Sequence, residues 1–281
     1  MITVERRWLR VNKHHPCQIC EKPDWCGISS EFCLAICMRV QSQRPTRNGG
    51  WMHRLADDPP DVVYSKPIRT DAEPTINCGQ YYADFMKGVS KKDVAAHAKS
   101  LGVDAESLFR LRIGWSEKDE AWSFPMERRR GADFRISGFR LRADDGSKWA
   151  VTGSKAGLFV PQATKWGKGL FIAEGPTDTA ALLSLGINAI GRPSCLGQED
   201  IIMDYVQMAK STVVSIASDP DGPGLTGSEL LAQRLHSKGI PVRILCPPRS
   251  ADFRSYIREG ATRETIMMLF HNANAWRPGN G

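Results

Sequence analysis

The sequence predicts an α/β protein built in three parts: a small N-terminal β module rich in cysteine, an α+β region rich in basic residues, and a C-terminal parallel sheet with helices on both faces. Three observations carry this. Five of the eight cysteines fall between Cys17 and Cys37. Residues 121–160 alternate like strands, with turn residues between the runs. From residue 168 onward, short β-branched apolar runs alternate with helical stretches on short connections, the pattern of a parallel sheet. The expected boundaries are 1–40 for the β module, 41–80 for a linker, 81–167 for the basic region and 168–275 for the parallel-sheet domain.

His15-Pro-Cys17-Gln-Ile-Cys20 is a Cys-x-x-Cys knuckle, and Cys26, Cys33 and Cys37 follow it closely. No apolar leader precedes them and the chain reads as cytoplasmic, so a disulfide framework is not expected. Structural Zn²⁺ held by four thiolates, or by three and a histidine, is. A hairpin over residues 24–40 turning near Ser30 would set Cys26 opposite Cys37, giving Cys17, Cys20, Cys26 and Cys37 as ligands in a zinc-ribbon-like module. Cys33 with Cys37 is the competing pair, with His14 or His15 in reserve.

Residues 41–80, rich in Pro, Asp, Arg and Gly, read as a linker with little structure of its own. From Tyr82 to about Leu111 the pattern is helical. Ser90 and Asp93 suit a capping box, Val94, Ala95, Ala98 and Leu101 form an apolar stripe, and Gly102 ends it. A second helix starts at Asp104. The pair resembles a helix-turn-helix reader superficially, but packing against the rest of the chain accounts for it more simply. Strands follow at Trp122–Phe124, Phe134–Ile136, Gly138–Arg142 and Lys148–Val151, with hairpin turns at Arg130-Gly131 and Asp145-Gly146.

In the last part, Gly169–Ala173 leads into Glu174-Gly-Pro-Thr-Asp178, and Thr212–Ala217 leads into Asp219-Pro-Asp221-Gly222. Pro176 suits the first position of a helix that Gly186 closes. A strand at Asn188–Arg192, a helix around Asp200–Met208, a helix over 226–237, a strand at Val242–Cys246 and a helix start at Asp252-Phe253 complete the unit. Either acidic motif alone is explained by helix capping and the helix dipole. Both together, each leaving the end of a strand, stand where parallel sheets place ligands. Several carboxylates in one crevice need a cation between them, and oxygen-only donors select Mg²⁺ or Mn²⁺. The implied chemistry is metal-dependent and acts on phosphates.

Over roughly Lys168 to Gly260 these motifs resemble the TOPRIM domain, which bacterial and phage primases share with topoisomerases and some nucleases. The resemblance implies that Glu174 serves as general acid or base, that Asp219 and Asp221 hold Mg²⁺, that Asp178 belongs to the same cluster, and that Asp252 is a further metal ligand. Ala251 replaces a residue that is usually basic, and Ser255 stands where a second acid is often found. The cysteine segment looks like the zinc modules of phage-type primases, which help choose the template. Together they imply a primase making short RNA primers on single-stranded DNA from nucleoside triphosphates. A TOPRIM nuclease and a non-catalytic zinc-containing DNA-binding protein are the alternatives. A topoisomerase would need a further domain with a nucleophilic tyrosine, and five tyrosines leave little room for one.

Composition agrees with a nucleic-acid partner: 38 Lys and Arg against 31 acids give a net charge of +7. Basic residues collect in two stretches. Residues 1–56 hold Arg6, Arg7, Arg10, Lys13, Lys22, Arg39, Arg44, Arg47 and Arg54, and residues 127–155 hold Arg128, Arg135, Arg140, Arg142, Lys148 and Lys155 among others. Such patches neutralise backbone phosphates. The last six are the candidate nucleic-acid contacts, and Trp25, Trp51, Trp122, Trp149 and Trp166 could stack on unpaired bases. No apolar run is long enough to span a membrane, so no membrane partner is expected. No Walker A sequence occurs, so unwinding is expected from a separate replicative helicase.

Overall fold

The computed structural model describes residues 8–13, 15–29, 33–46, 50–55, 73–164 and 169–278. His14, the turn at Ser30, Arg6, Arg7, Arg47, residues 56–72 of the expected linker, Trp166 and Lys168 lie outside the described residues. The chain divides into two units, Met1–Ala72 and Glu73–Gly281.

The first unit is a four-stranded antiparallel sheet in the order β1 (Trp8–Arg10), β2 (Gly27–Ser29), β3 (Leu34–Cys37), β4 (Trp51–Arg54). Gly27 pairs with Ile36 and Ile28 with Ala35, so the β2–β3 hairpin sets Cys26 and Cys37 at the same end. Its core is Val11 with the buried Cys17, Cys26 and Cys37. Such a core is too small to hold a fold by apolar burial alone, and small domains of this kind depend on a metal or cross-link. Strand β4 corrects the sequence reading. It pairs with β3 from Trp51 opposite Cys37 to Arg54 opposite Leu34, inside the stretch expected to be linker. Tryptophan and histidine in that strand are good strand formers, and their partner lies 14 or more residues away, which the Pro- and Gly-rich flanks conceal.

The second unit opens with helices α1 (Cys78–Lys87), α2 (Lys91–Leu101) and α3 (Ala105–Arg110). Helix α1 starts within the expected linker because Asn77 caps it, accepting from the Gln80 N–H. The Ser90/Asp93 capping box forms as expected, and Gly102 closes α2 in the left-handed conformation at φ 73°. Val94, Ala98, Leu101 and Leu108 share one core with Phe171, Ala180 and Leu182. The helices therefore pack on the parallel-sheet domain, as the simpler reading held.

An antiparallel sheet follows in the order β5 (Gly114–Ser116), β6 (Ala121–Arg130), β7 (Asp133–Arg142), β8 (Lys148–Ala150). The sequence reading missed β5 and split β7 in two. The apparent break at Ser137 is a β-bulge: Met126 pairs with Gly138, but Glu127 pairs with Ile136. One extra residue reverses the alternation. Arg135 and Arg140 therefore share a face although their separation is odd, since their partners Arg128 and Phe124 lie four apart on β6.

The last part runs β9 (Leu170–Glu174), α4 (Pro176–Ser184), β10 (Ala189–Arg192), α5 (Glu199–Met208), β11 (Val214–Ala217), α6 (Gly222–His236), β12 (Val242–Leu245), α7 (Phe253–Arg258) and α8 (Arg263–Asn272). All four strands are parallel, in the order β10-β9-β11-β12. Leu170, Ile172, Val214 and Ile216 pack on one side with α5 and α6, and Phe171, Ala173, Ala217 and Leu245 on the other with α4. Burial on both faces explains why these strands read as unbroken apolar runs. Helix α6 begins four residues earlier than expected because Asp221 caps it, and α8 was not expected at all.

Candidate active site and metal centre

In the first unit, Cys17, Cys20, Cys26 and Cys37 place their four sulfurs within 4.8 Å of one another, the one such group of potential ligands among the described residues. The Cys20–Cys26 and Cys26–Cys37 sulfur separations are 3.7 and 4.0 Å. A tetrahedral Zn²⁺ with bonds of about 2.3 Å has sulfurs about 3.8 Å apart, so the thiols fit zinc. Backbone N–H groups of Met38, Arg39 and Val40 point at the Cys26 and Cys37 sulfurs from 3.2 to 3.4 Å. These donors orient the ligands and spread their charge. Burial raises the Cys26 and Cys37 thiols above their ordinary value. Burial acts the same way on Cys20, but the Lys22 N–H, Arg39 and the neighbouring thiols outweigh it and lower that thiol to about 7. Cys33 stands apart, 3.6 Å from the Ser29 hydroxyl, and His15 is exposed. Neither belongs to the cluster.

In the second unit the acids collect at the C-terminal ends of three neighbouring strands. Glu174 ends β9, Asp219 and Asp221 follow β11, and Asp252 follows β12. Asp178 lies in the first turn of α4 and is 7% exposed. Gly175, at φ 92°, lets the chain leave Glu174 and enter α4 in a conformation that a side chain would strain. Several acids also hold the scaffold. Asp221 Oδ1 accepts from the Gly224 N–H at 2.7 Å, Asp252 Oδ1 from the Ser255 N–H at 2.6 Å, and Asp178 Oδ1 from the Arg254 N–H at 2.9 Å. Capping and clustering therefore coexist in the same side chains.

Their electrostatics show that they share one crevice. Burial, then Glu174, Asp178, Asp252 and Asp221 in turn, push Asp219 up to about 8. Burial and Asp252 push Asp178 up to about 7, against Arg254 and Lys148. Burial raises Glu174 as well, although Arg192 opposes it. Crowded carboxylates of this kind favour a bound cation or proton. The donor set is oxygen-only, which suits Mg²⁺ or Mn²⁺.

Of the six basic candidates, the structure brings two, Arg142 and Lys148, within electrostatic reach of the acids. Desolvation lowers the half-buried Arg142 and also Lys148, which remains exposed to solvent; Asp178 acts on both while Asp252 acts on Arg142. Arg140 acts on Lys148 in turn. Arg128 and Arg135 pair across the far part of the β6–β7 hairpin. The Arg135 side chain is 68% exposed, 3.7 Å from Asp133. Lys155 follows β8, its N–H bonded to the Ser137 carbonyl at 2.8 Å. Trp122 is buried and stacks on His97 with ring centroids 4.1 Å apart, so it is a core residue. Trp25 is 52% exposed beneath the Arg39 guanidinium. Two basic residues at the acids were not singled out from sequence. Arg254 follows the acid that caps its own helix, and Arg192 faces Glu174 across the β9–β10 register. The first could have been found from its place beside Asp252, the second only from strand pairing.

No protein-family model matches the chain, and no curated protein matches it. Solved structures define its class: it has the fold of bacterial DNA primase catalytic cores. The E. coli primase catalytic core is similar over 70% of this chain and 79% of its own, with a TM-score of 0.54 and 16% identity. A DnaG primase catalytic domain bound to single-stranded DNA is similar over 70% and 77%, with a TM-score of 0.55 and 17% identity. The zinc-binding and RNA polymerase domains of the Aquifex aeolicus primase give a TM-score of 0.55 at 16% identity, over 70% of this chain and 60% of that one. At these identities the likeness is one of fold. No helix among the described residues is long and apolar enough to cross a membrane.

Proposed function

We propose that this protein is a cytoplasmic DNA primase that makes short RNA primers on single-stranded DNA during replication of a phage, plasmid or bacterial replicon. One observation carries the reading: five carboxylates gathered at the ends of three parallel strands, faced by Arg142 and Lys148, within the fold of primase cores. In this reading residues 168–275 are the TOPRIM catalytic domain and residues 81–167 supply the basic wall of its groove. The four-stranded first unit, β4 included, is the zinc module that helps choose the template.

Template and primer phosphates lie along Arg128, Arg135, Arg140, Arg142, Lys148 and Lys155. Asp219, Asp221, Asp252 and Glu174 would hold Mg²⁺ or Mn²⁺, which supplies charge neutralisation at the nucleoside triphosphate and at the attacking and leaving oxygens. Asp178 tunes the charge of the same cluster from beneath. Glu174, largely withdrawn from solvent, orients the 3′-hydroxyl and manages its proton. Backbone N–H groups at Gly224, Ser255 and Arg254 fix three of the carboxylates before substrate arrives, so little reorganisation accompanies the reaction. Unwinding is left to a separate replicative helicase.

The test is incubation with single-stranded DNA, Mg²⁺ or Mn²⁺ and labelled ribonucleotides, with products sized on a denaturing gel. New short labelled oligomers are expected. Shortened DNA without new label would identify a nuclease instead, and no product beside tight DNA binding would identify a binding protein.

A further inference from the structure

Arg192 is the largest fully buried side chain among the described residues, 1% exposed, and it sits directly behind Glu174. The parallel register pairs the two residues at the C-terminal ends of β10 and β9. Both terminal nitrogens of the guanidinium are engaged, while its buried Nε has no partner among the described residues. Nη2 donates to Glu174 Oε1 at 3.0 Å and to the Ser228 hydroxyl at 3.3 Å, and Nη1 donates to the Cys195 carbonyl at 2.7 Å and the Gly227 carbonyl at 3.4 Å. Ser228 and Gly227 belong to α6, the helix that Asp221 caps. A side chain at Gly227 would run into the Cys195 carbonyl, so helix and loop meet closely where Arg192 joins them.

We propose that Arg192 is a positioning residue for primer synthesis, fixing the Glu174 carboxylate against the helix that carries Asp221. This rests on the reading of Glu174 as a residue of the primase site. Arginine suits such a position because it stays charged when buried and its planar fork binds several oxygens at once. Stability alone is a poor account of the pair, since a buried ion pair is often replaced by apolar residues without loss. The burial is also asymmetric. The Glu174 side chain keeps 13% exposure at the crevice while Arg192 keeps 1%, so Arg192 acts through Glu174 and does not meet substrate. Two strands and one helix are thereby locked in one arrangement around a single carboxylate oxygen.

The test compares Arg192→Met and Arg192→Lys in the full chain, on protein shown to be folded by its thermal melt, with kcat, KM for nucleotide and single-strand affinity measured separately. Arg192→Met is expected to lower kcat about tenfold or more while KM and DNA affinity stay within about twofold, the pattern of an interaction that matters in the transition state. Arg192→Lys, which keeps the charge without the fork, is expected to recover part of that loss. The double variant Glu174→Gln/Arg192→Met is expected to be no slower than Glu174→Gln, because the two residues act as one unit. Wild-type kcat in Arg192→Met, or a change confined to KM, would overturn the proposal. Should Arg192→Met fail to fold, Arg192→Lys carries the test, and wild-type kcat in that variant overturns it. A wild-type protein that makes no template-directed product would reject primer synthesis itself, and this proposal with it. Active wild type with unaffected Arg192 variants would reject the proposal alone.

Discussion

The thiol cluster of the first unit and the carboxylate crevice of the second solve opposite problems. Four sulfurs lie within 4.8 Å of one another, supported by backbone N–H groups, three of the cysteines buried with Val11 in the only core that unit has among its described residues. The carboxylates are spread over the ends of three strands and serve partly as helix caps, and burial with their mutual crowding pushes Asp219 up to about 8. A closed ligand set with its own core is the arrangement of a structural metal. A crowded, partly open set on an independently packed sheet is the arrangement of a reactive site, where local stability is given up for chemistry. Removing ligands from the two regions should therefore have opposite effects on folding.

The largest expected effect is on the first unit. Removing zinc with a chelator, or Cys26→Ser, should unfold it, because zinc binding of this type contributes about 10 kcal/mol or more to folding. Circular dichroism and zinc release would show one transition lost and that of residues 73–281 retained. Next comes Asp219→Asn, which should abolish synthesis while leaving the second unit as stable as wild type or up to about 2 kcal/mol more stable in metal-free buffer, since it removes one crowded charge. A fall in melting temperature would erase the contrast, making the acids structural like the thiols.

A third test uses a buried base outside both sites. His97 is 7% exposed, stacks on Trp122 and has no hydrogen-bond partner at Nε2. Burial first, then Arg142, outweigh Asp144 and lower it from 6.5 to about 4. The unfolded chain takes up this proton near pH 6.5 and the folded one not until about 4, so the folded state binds fewer protons between those values. Its contribution is complete above pH 6.5 and is lost as pH falls toward 4, by up to about 3 kcal/mol. Stability against pH for His97→Phe should lack this slope. The smallest effects belong to the exposed basic residues: Arg135→Ala should weaken single-strand binding severalfold whatever the sequence and lower the salt dependence by about one unit. Arg142→Ala, nearer the acids, should cost more.

Local signals in the sequence account for much of this. Each acidic motif follows its own apolar strand, so the parallel sheet and the positions of Glu174, Asp219 and Asp221 were legible. The hairpin argument chose Cys26 over Cys33 because one residue of register decides which thiols meet. What was missed depends on pairing between distant segments. Strand β4 finds its partner across a Pro- and Gly-rich stretch, the bulge at Ser137 looks like a turn, and Arg192 meets Glu174 only because β10 lies beside β9. Helix α8 was legible but passed over: Ile266, Leu269 and Phe270 stand at helical spacing and pack on the core.

Primer synthesis at the acidic crevice is tested most directly by setting wild type beside Asp219→Ala, measuring template-directed ribonucleotide incorporation and single-stranded DNA affinity on the same preparations. Short oligomers are expected from wild type and none from the variant, with DNA affinity within about twofold between them, since the proposed phosphate contacts lie on the basic wall and not on the acids. Equal incorporation by both proteins, or DNA affinity lost together with synthesis in a folded variant, would contradict it.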